Sequence, residues 1–414
     1  MKFDVVIIGG GLAGLTCGIR LQRAGKKCVI ISSGQSALHF SSGSFDLLNK
    51  LPGGEAVASP IEGAAKLPAS HPYSKIGADF AKYASEAKQW LLDSGVEVAG
   101  SADKNHMRVT PMGTLKPTWL TVSDFTTHES ASEFKGKKIL IVNIAGFLDF
   151  NTKFIADSYE SFGAECKIVS ASVPALEHLR VSPTEMRASN IARALEKEET
   201  LNALLSIIRT DSIGFDCVAL PAVFGLSSSA PVKALKAGLT IPVCLVPTMP
   251  PSVPGIRIQQ HLRHVFEHAG GVFMLGDSAI KAEFKGNKIG KLYTVNHGDI
   301  AFNADNYILA TGSYFSNGLT ARPDKVVENV FGCDVDAADS RGDWYDMSFF
   351  KPQNYMTFGV ATDERFRAKK GGKTIENLYA VGSVLSGFNA LQEGCGAGVA
   401  MLSSLFVSDN LLKG

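Results

Sequence analysis

The sequence predicts an α/β fold in which a Rossmann-like nucleotide-binding domain carries an inserted, mixed α/β second domain. Three observations predict it. An apolar run at residues 5–8 leads directly into Gly9-x-Gly11-x-x-Gly14, which opens a helix. A second apolar run at residues 28–31 completes a β-α-β unit within about 30 residues. Strand and helix patterns of the same kind return in the C-terminal part of the chain.

We therefore assign residues 1–70 and 255–414 to a discontinuous nucleotide-binding domain and residues 71–254 to the insertion. The insertion has its own β-α-β pattern at 138–170 and short apolar strands at 215–220 and 241–246. The returning domain is predicted to contain, in order, a helix at 259–269, a strand at 272–275, a β-meander at 281–299, strands at 307–310 and 378–381, and a closing helix at 396–411.

The glycines of the first turn each meet a mechanical need of phosphate binding. Gly9 permits a tight turn out of the strand, Gly11 lets the backbone approach a phosphate, and Gly14 lets the helix pack close to the sheet. The helix start then presents free N–H groups and the positive end of its dipole. The alternative is a glycine-rich structural turn, but the position between a strand and a helix favours nucleotide binding.

An acidic residue that usually accompanies this motif is missing. The end of the second strand should carry Asp or Glu for a ribose hydroxyl, and this chain has Ser32 there. A neutral hydroxyl makes a hydrogen bond about half as strong as that of a carboxylate. Either a dinucleotide is held with less help, or the ligand is a mononucleotide.

Two later segments carry glycines where a strand ends or a helix begins. One ends in Gly312; the other contains Gly382 and Ser383 and is followed by Gly394 and Gly396. Each segment alone is typical of ordinary structure, although backbone N–H groups at such sites can bind a phosphate or a flavin edge. In this order the three motifs resemble the flavoprotein superfamily that includes the succinate dehydrogenase and fumarate reductase flavoprotein subunits. That superfamily usually has an acid at the position of Ser383.

The loop after the second strand is rich in serine and glycine. The resemblance implies that this loop runs along a flavin, so Ser41, Ser42, Gly43 and Ser44 are predicted cofactor contacts. His39 is our candidate acid/base, since a histidine there could exchange a proton or donate to the flavin. The alternative is a loop histidine that is hydrogen-bonded to the backbone.

The same loop, with residues 109–114 and 250–257, makes the resemblance more specific: the chain is similar, over its whole length, to the B subunit of bacterial anaerobic glycerol-3-phosphate dehydrogenase. The resemblance implies oxidation of sn-glycerol 3-phosphate to dihydroxyacetone phosphate, with electrons passed to quinone and fumarate or nitrate as terminal acceptor. It implies FMN as cofactor, with FAD as the alternative. It also implies a catalytic A subunit and an iron–sulfur C subunit that anchors the complex at the cytoplasmic face of the inner membrane.

Composition agrees with these implications. The 414 residues have a formal net charge of +1, so nothing predicts attraction to nucleic acid or to an anionic membrane surface. The seven cysteines are scattered without a CxxC pair, which predicts reduced thiols and no metal site. Electrons would therefore leave to another protein. Because the first strand begins at once and no long apolar run is uninterrupted, we expect no signal peptide and no membrane insertion.

A phosphorylated alcohol as substrate would need cations and a base. Six basic residues are candidates, although solvated surface charge is the usual explanation for such residues. They are Arg108, Lys116, Arg257, His261, Arg263 and His264. Two other functions stay open: a non-catalytic flavin-binding relay or assembly subunit, and a free-standing NAD-dependent dehydrogenase, which Ser32 and the C-terminal motifs disfavour.

Overall fold

The structure is a computed structural model that describes residues 1–182 and 184–413. Its central element is a six-stranded sheet with the spatial order Val272–Leu275, Cys28–Ser32, Lys2–Ile8, Asn303–Leu309, Lys373–Ala380 and Arg367–Lys370. The first five strands run parallel and the last is antiparallel. Strand Cys28–Ser32 is buried throughout, and Lys2–Ile8 and Asn303–Leu309 are buried toward their C-terminal ends, as a parallel sheet covered on both faces requires.

The helices that cover this sheet follow the predicted pattern. The first, Leu12–Arg23, ends before Gly25, whose φ of +85° suits a left-handed helix end. It packs along the closing helix Gly396–Lys413: Ser404 Oγ donates to the Ala13 carbonyl at 3.0 Å. Helices Val253–His268 and Phe80–Asp93 pack against this pair.

A second, four-stranded sheet is entirely parallel, in the order Val243–Val246, Cys217–Pro221, Lys138–Ile144 and Glu165–Ala171. These strands agree with the predicted ones to within two residues. The helices associated with them are Thr152–Ser161, Ala188–Leu195, Glu198–Asp211 and Ala230–Ala237. The α/β fold class is confirmed.

Smaller elements lie outside the two main sheets. The short strands Ser44–Phe45, Leu120–Val122 and Val98–Ala99 form a three-stranded sheet. The antiparallel pairs are His106–Val109 with Leu115–Thr118, Ala279–Lys285 with Lys288–Thr294, Leu319–Ala321 with Val326–Glu328, and Val335–Asp336 with Gly359–Val360. The short helices are Pro60–Ala64, Pro72–Ile76, Glu177–Arg180 and Ala390–Glu393, and the 3-10 turns are Ala37–Phe40, Gly77–Asp79, Ala131–Phe134, Pro174–Leu176, Tyr314–Ser316, Arg341–Asp343, Asn354–Thr357 and Gly382–Val384.

The division at residues 71 and 254 stays a prediction. The four-stranded sheet lies wholly within 71–254, whereas helix Phe80–Asp93 packs on the closing helix Gly396–Lys413 of the other part. Within residues 1–182 and 184–413, no helix combines the length and the apolar character needed to cross a bilayer.

Candidate functional site

A cavity of about 990 Å³ lies where the parallel strands of the six-stranded sheet end. Its volume is at the upper end of the roughly 300–1,000 Å³ that small-molecule sites occupy. The carboxyl edge of such a sheet is also where α/β folds bind ligands. The wall comprises residues 8–13, 31–38, 277–279 and 310–317, with parts of 41–45, 329–330, 355–358 and 383–400.

The first turn has the shape that phosphate binding requires. Gly9 has φ of +115°, and a Cβ there would lie 2.1 Å from the Ala310 carbonyl oxygen. A Cβ on Gly14 would lie 1.9 Å from the Gly9 carbonyl oxygen, so only glycine fits at either position. A Cβ on Gly11 would reach nothing closer than the Ser36 Cβ, at 3.5 Å. Gly11 therefore leaves open space beside the helix start, while Gly9 and Gly14 shape the turn.

The end of the second strand offers no free acid. The Ser32 hydroxyl donates to the Gly34 carbonyl at 3.0 Å. Nearby, the buried Asp277 carboxylate accepts from the backbone N–H of Ser278 and of Asn296, and Oδ2 lies 2.8 Å from His297 Nδ1. Burial would raise the pKa of Asp277, but these hydrogen bonds and one from Thr294 lower the pKa overall.

Two polar atoms in the cavity wall have no partner among the described residues. They are Thr311 Oγ1 and the Tyr314 hydroxyl, both buried. Burial raises the pKa of Tyr314 to about 12, so its hydroxyl stays a hydrogen-bond donor at neutral pH. Because an unpaired buried polar group costs about 1–3 kcal/mol, these atoms point to a ligand that carries polar groups. The phosphate and ribityl oxygens of a flavin nucleotide meet that requirement.

The structure brings most, but not all, of the predicted cofactor residues to the cavity. Those in its wall are Gly9, Gly11, Ser32, Ser41, Ser44, Gly312, Ser383 and Gly396. The remaining five are not wall residues but lie within two residues of a wall residue along the chain: Gly14, Ser42, Gly43, Gly382 and Gly394. Their contribution would be to shape the turns.

The predicted acid/base His39 is not in the cavity wall. Its Nδ1 lies 2.8 Å from Gln259 Oε1, an oxygen that can only accept, so Nδ1 carries a proton. The ring thus binds the helix Val253–His268. His39 stays a prediction as the acid/base.

None of the six basic candidates reaches the cavity, and the described wall contains no Lys, Arg or His. Each basic side chain has another neighbour. Three of them form ion pairs: Lys116 with Asp46, Arg257 with Asp124, and Arg263 with Glu267. Arg108 contacts Ser42 and Ser44, His261 Nε2 lies 2.6 Å from the Ser94 carbonyl, and the His264 ring lies tilted against that of His268. A substrate phosphate would find no cation here.

Sequence reasoning missed Tyr314 and Asp277. Tyr314 follows Gly312 by two residues, so the motif could have indicated it. No local signal indicates Asp277, because its position depends on the pairing of Val272–Leu275 with Cys28–Ser32.

Three buried side chains meet at the second glycine-rich segment. His71, Glu393 and Cys395 could each offer a ligand atom to a metal ion. However, His71 Nδ1 accepts from the Tyr73 N–H at 3.0 Å, and Nε2 lies 3.2 Å from Glu393 Oε2. His71 Nδ1 is thus occupied by the backbone, whereas Nε2 and Glu393 Oε2 lie at ion-pair distance without hydrogen-bond geometry and have no other partner among the described residues.

Comparisons with known proteins identify the family of this chain. An FAD binding domain family model matches residues 4–399. The B subunit of the anaerobic glycerol-3-phosphate dehydrogenase of Yersinia enterocolitica is 46% identical, covering 100% of this chain and 99% of the relative. The corresponding proteins of Pectobacterium atrosepticum and Glaesserella parasuis are 43% and 41% identical, each covering 100% of this chain. This chain belongs to the family of anaerobic glycerol-3-phosphate dehydrogenase B subunits.

As a B-subunit family member the chain is a flavoprotein of the oxidoreductase class, which confirms the predicted superfamily. The open form of a flavocytochrome c3 fumarate reductase aligns with 100% of this chain and 78% of its own at 9% identity. The TM-score of 0.46 is too low for a functional comparison.

Proposed function

We propose that this chain is the flavin-binding B subunit of a membrane-associated anaerobic sn-glycerol-3-phosphate dehydrogenase. The complex would oxidise glycerol 3-phosphate to dihydroxyacetone phosphate and pass electrons to quinone, with fumarate or nitrate as terminal acceptor. A catalytic A subunit and an iron–sulfur C subunit would complete it at the inner face of the inner membrane. The observation that carries the proposal is the cavity of about 990 Å³ at the glycine turns, in a chain similar to B subunits over its full length.

When bound, the flavin supplies the acceptor for the two electrons that leave with the C2 hydrogen of an alcohol. This chain's residues would hold and orient it. Free N–H groups beside Gly11 would bind phosphate, and the Tyr314 hydroxyl and Thr311 Oγ1 would bind other polar groups of the cofactor.

The form of the flavin can be argued from strand order. In the six-stranded sheet, the second strand away on one side of the strand that precedes Gly9 leads to Asp277. On its other side, the second strand away leads to Ser383. At about 4.8 Å per strand, the cavity extends roughly 10 Å each way from the phosphate turn. A mononucleotide extends from its phosphate in one direction only. This geometry favours FAD, although the sequence led us to expect FMN first. Acid release of the flavin followed by chromatographic identification decides between the two.

A second function, a non-catalytic electron relay or assembly subunit of the same complex, is favoured by two observations. The cavity wall has no cation for a substrate phosphate, and His39 binds Gln259 instead of facing the cavity. In this case the A subunit alone would bind glycerol 3-phosphate.

The two roles predict different results for His39→Ala in the purified complex. If His39 is the acid/base, turnover with glycerol 3-phosphate and a quinone analogue should fall by about 100-fold or more, with flavin content unchanged. If the chain is a relay, turnover should stay within about twofold of wild type. Full activity of a complex that lacks this chain altogether would refute both.

A further inference from the structure

Arg108 is a buried cation beside the flavin cavity that forms no ion pair with any described residue. Its side chain is 4% exposed, and no carboxylate of the described residues lies within ion-pair distance of it. The Asp46 carboxylate acts on Arg108 electrostatically, but it is paired with Lys116 and accepts a hydrogen bond from Thr118. The guanidinium lies over the Phe125 ring, 4.3 Å from its centroid, and its Nε has no partner. Burial lowers the pKa of Arg108 to about 9, which still leaves it charged at neutral pH.

The hydrogen bonds of Arg108 all go to the serine-rich loop. One terminal nitrogen donates to Ser42 Oγ at 3.0 Å and to Ser44 Oγ at 2.6 Å, and the other donates to the Ser42 carbonyl. A hydroxyl oxygen that accepts from a cation keeps its own proton free to donate. Among the described residues the Ser44 hydroxyl donates to no protein acceptor, and Ser44 is part of the cavity wall. Its free proton is therefore available to a ligand.

Ser44 and the phosphate turn belong to different segments of the cavity wall. Ser44 lies near the start of the closing helix, because the Gly398 N–H donates to the Asp46 carbonyl at 2.9 Å. If phosphate binds beside Gly11, at the start of the first helix, the wall near the closing helix is left for the rest of the cofactor, and we place the redox-active ring there.

We propose that Arg108 is a positioning residue that tunes the bound flavin: it fixes Ser44 as a hydrogen-bond donor into the cavity and places behind it a positive charge that has no ion-pair partner of its own. Reduced flavin carries more negative charge than oxidised flavin, so both effects stabilise the reduced cofactor relative to the oxidised one. The inference rests on the flavin assignment and does not need glycerol 3-phosphate to bind this chain.

The test is the midpoint potential of the flavin retained by the purified chain, measured by dye-coupled reduction. In Arg108→Met we expect the affinity for reduced flavin to fall about tenfold more than that for oxidised flavin, which lowers the potential of a two-electron couple by about 30 mV. Ser44→Ala should shift the potential the same way by less, and Arg108→Lys should recover part of the wild-type value. Lys104→Met, which removes an exposed charge four residues earlier in the chain, should leave the potential unchanged.

Equal weakening of oxidised and reduced flavin in Arg108→Met would overturn the inference, because it would indicate a purely structural or phosphate-binding role. An unchanged potential in Ser44→Ala would also overturn it, and this variant keeps the buried arginine if Arg108→Met does not fold. A wild-type chain that binds neither FMN nor FAD would instead contradict the cofactor assignment.

Discussion

The six-stranded and the four-stranded sheet are both built mainly from parallel strands, but the turns that follow these strands differ. In the six-stranded sheet, the strands Lys2–Ile8, Asn303–Leu309 and Lys373–Ala380 run into Gly9, Gly312 and Gly382 within one to three residues. These turns carry no bulky side chain, and the cavity lies among them.

The four-stranded sheet has large apolar residues at the equivalent points. Strand Lys138–Ile144 is followed by Phe147, and strand Cys217–Pro221 by Phe224; both phenylalanines are 1% exposed. In this protein, the ends of parallel strands leave room for a ligand only where small residues follow them. The same edge filled with phenylalanine becomes part of the core.

The largest effect is expected when a side chain is added at the open edge. Gly9→Val would require a β-branched residue at φ of +115° and would place its Cβ 2.1 Å from the Ala310 oxygen. Strain and overpacking together should lower the free energy of unfolding by about 4 kcal/mol, and flavin binding should be lost. Chemical denaturation measures this. Gly53→Ala, with open space around it, should change stability by less than about 0.5 kcal/mol.

The next effect comes from opening the closed edge. Phe224→Ala should lower the free energy of unfolding by about 3–4 kcal/mol through lost burial and a cavity, but leave the flavin affinity of the folded protein unchanged. Urea denaturation and flavin titration together test this. Phe349→Ala, at a side chain 86% exposed, is the control and should cost little. Weaker flavin binding in Phe224→Ala would show that the two sheets are energetically coupled.

A smaller effect is expected where the open edge has room for a side chain. Gly11→Val should fold normally, because the position is uncrowded, yet fill the space beside the helix start. Flavin affinity should fall about 100-fold, or roughly 2.7 kcal/mol, measured by quenching of flavin fluorescence. Wild-type affinity in this variant would mean that phosphate does not bind at the first turn.

The smallest effect concerns pH at the edge of the open site. The pKa of Asp277 is lower in the folded state than the ordinary carboxyl value near 3.8. Its ionised carboxylate therefore stabilises the folded protein above that pH, and this stabilisation is lost as the pH falls through the pKa of the folded state. Asp277→Asn should therefore have a lower free energy of unfolding than wild type at neutral pH. Urea denaturation at a series of pH values should show that this free energy declines less steeply below pH 4 in the variant than in wild type. Asp299→Asn, an exposed position, should follow the wild-type profile.

The sequence by itself determined the elements and the phosphate turn. Gly9, Gly11 and Gly14 act through contacts with neighbours along the chain or with the adjacent strand, so their spacing carried the information. The parallel strands of both sheets were predictable for the same reason, since their apolar runs are local patterns, whereas the polar edge strand Arg367–Lys370 was not predicted.

Only the tertiary structure decided which polar groups face the cavity. His39 binds Gln259, 220 residues away, and Arg108 reaches Ser44 across 64 residues, so neither orientation has a local signal. The physical reason is that a turn depends on the backbone freedom of a few consecutive residues, whereas the direction of a buried polar side chain depends on which partner the packed chain places within hydrogen-bond distance.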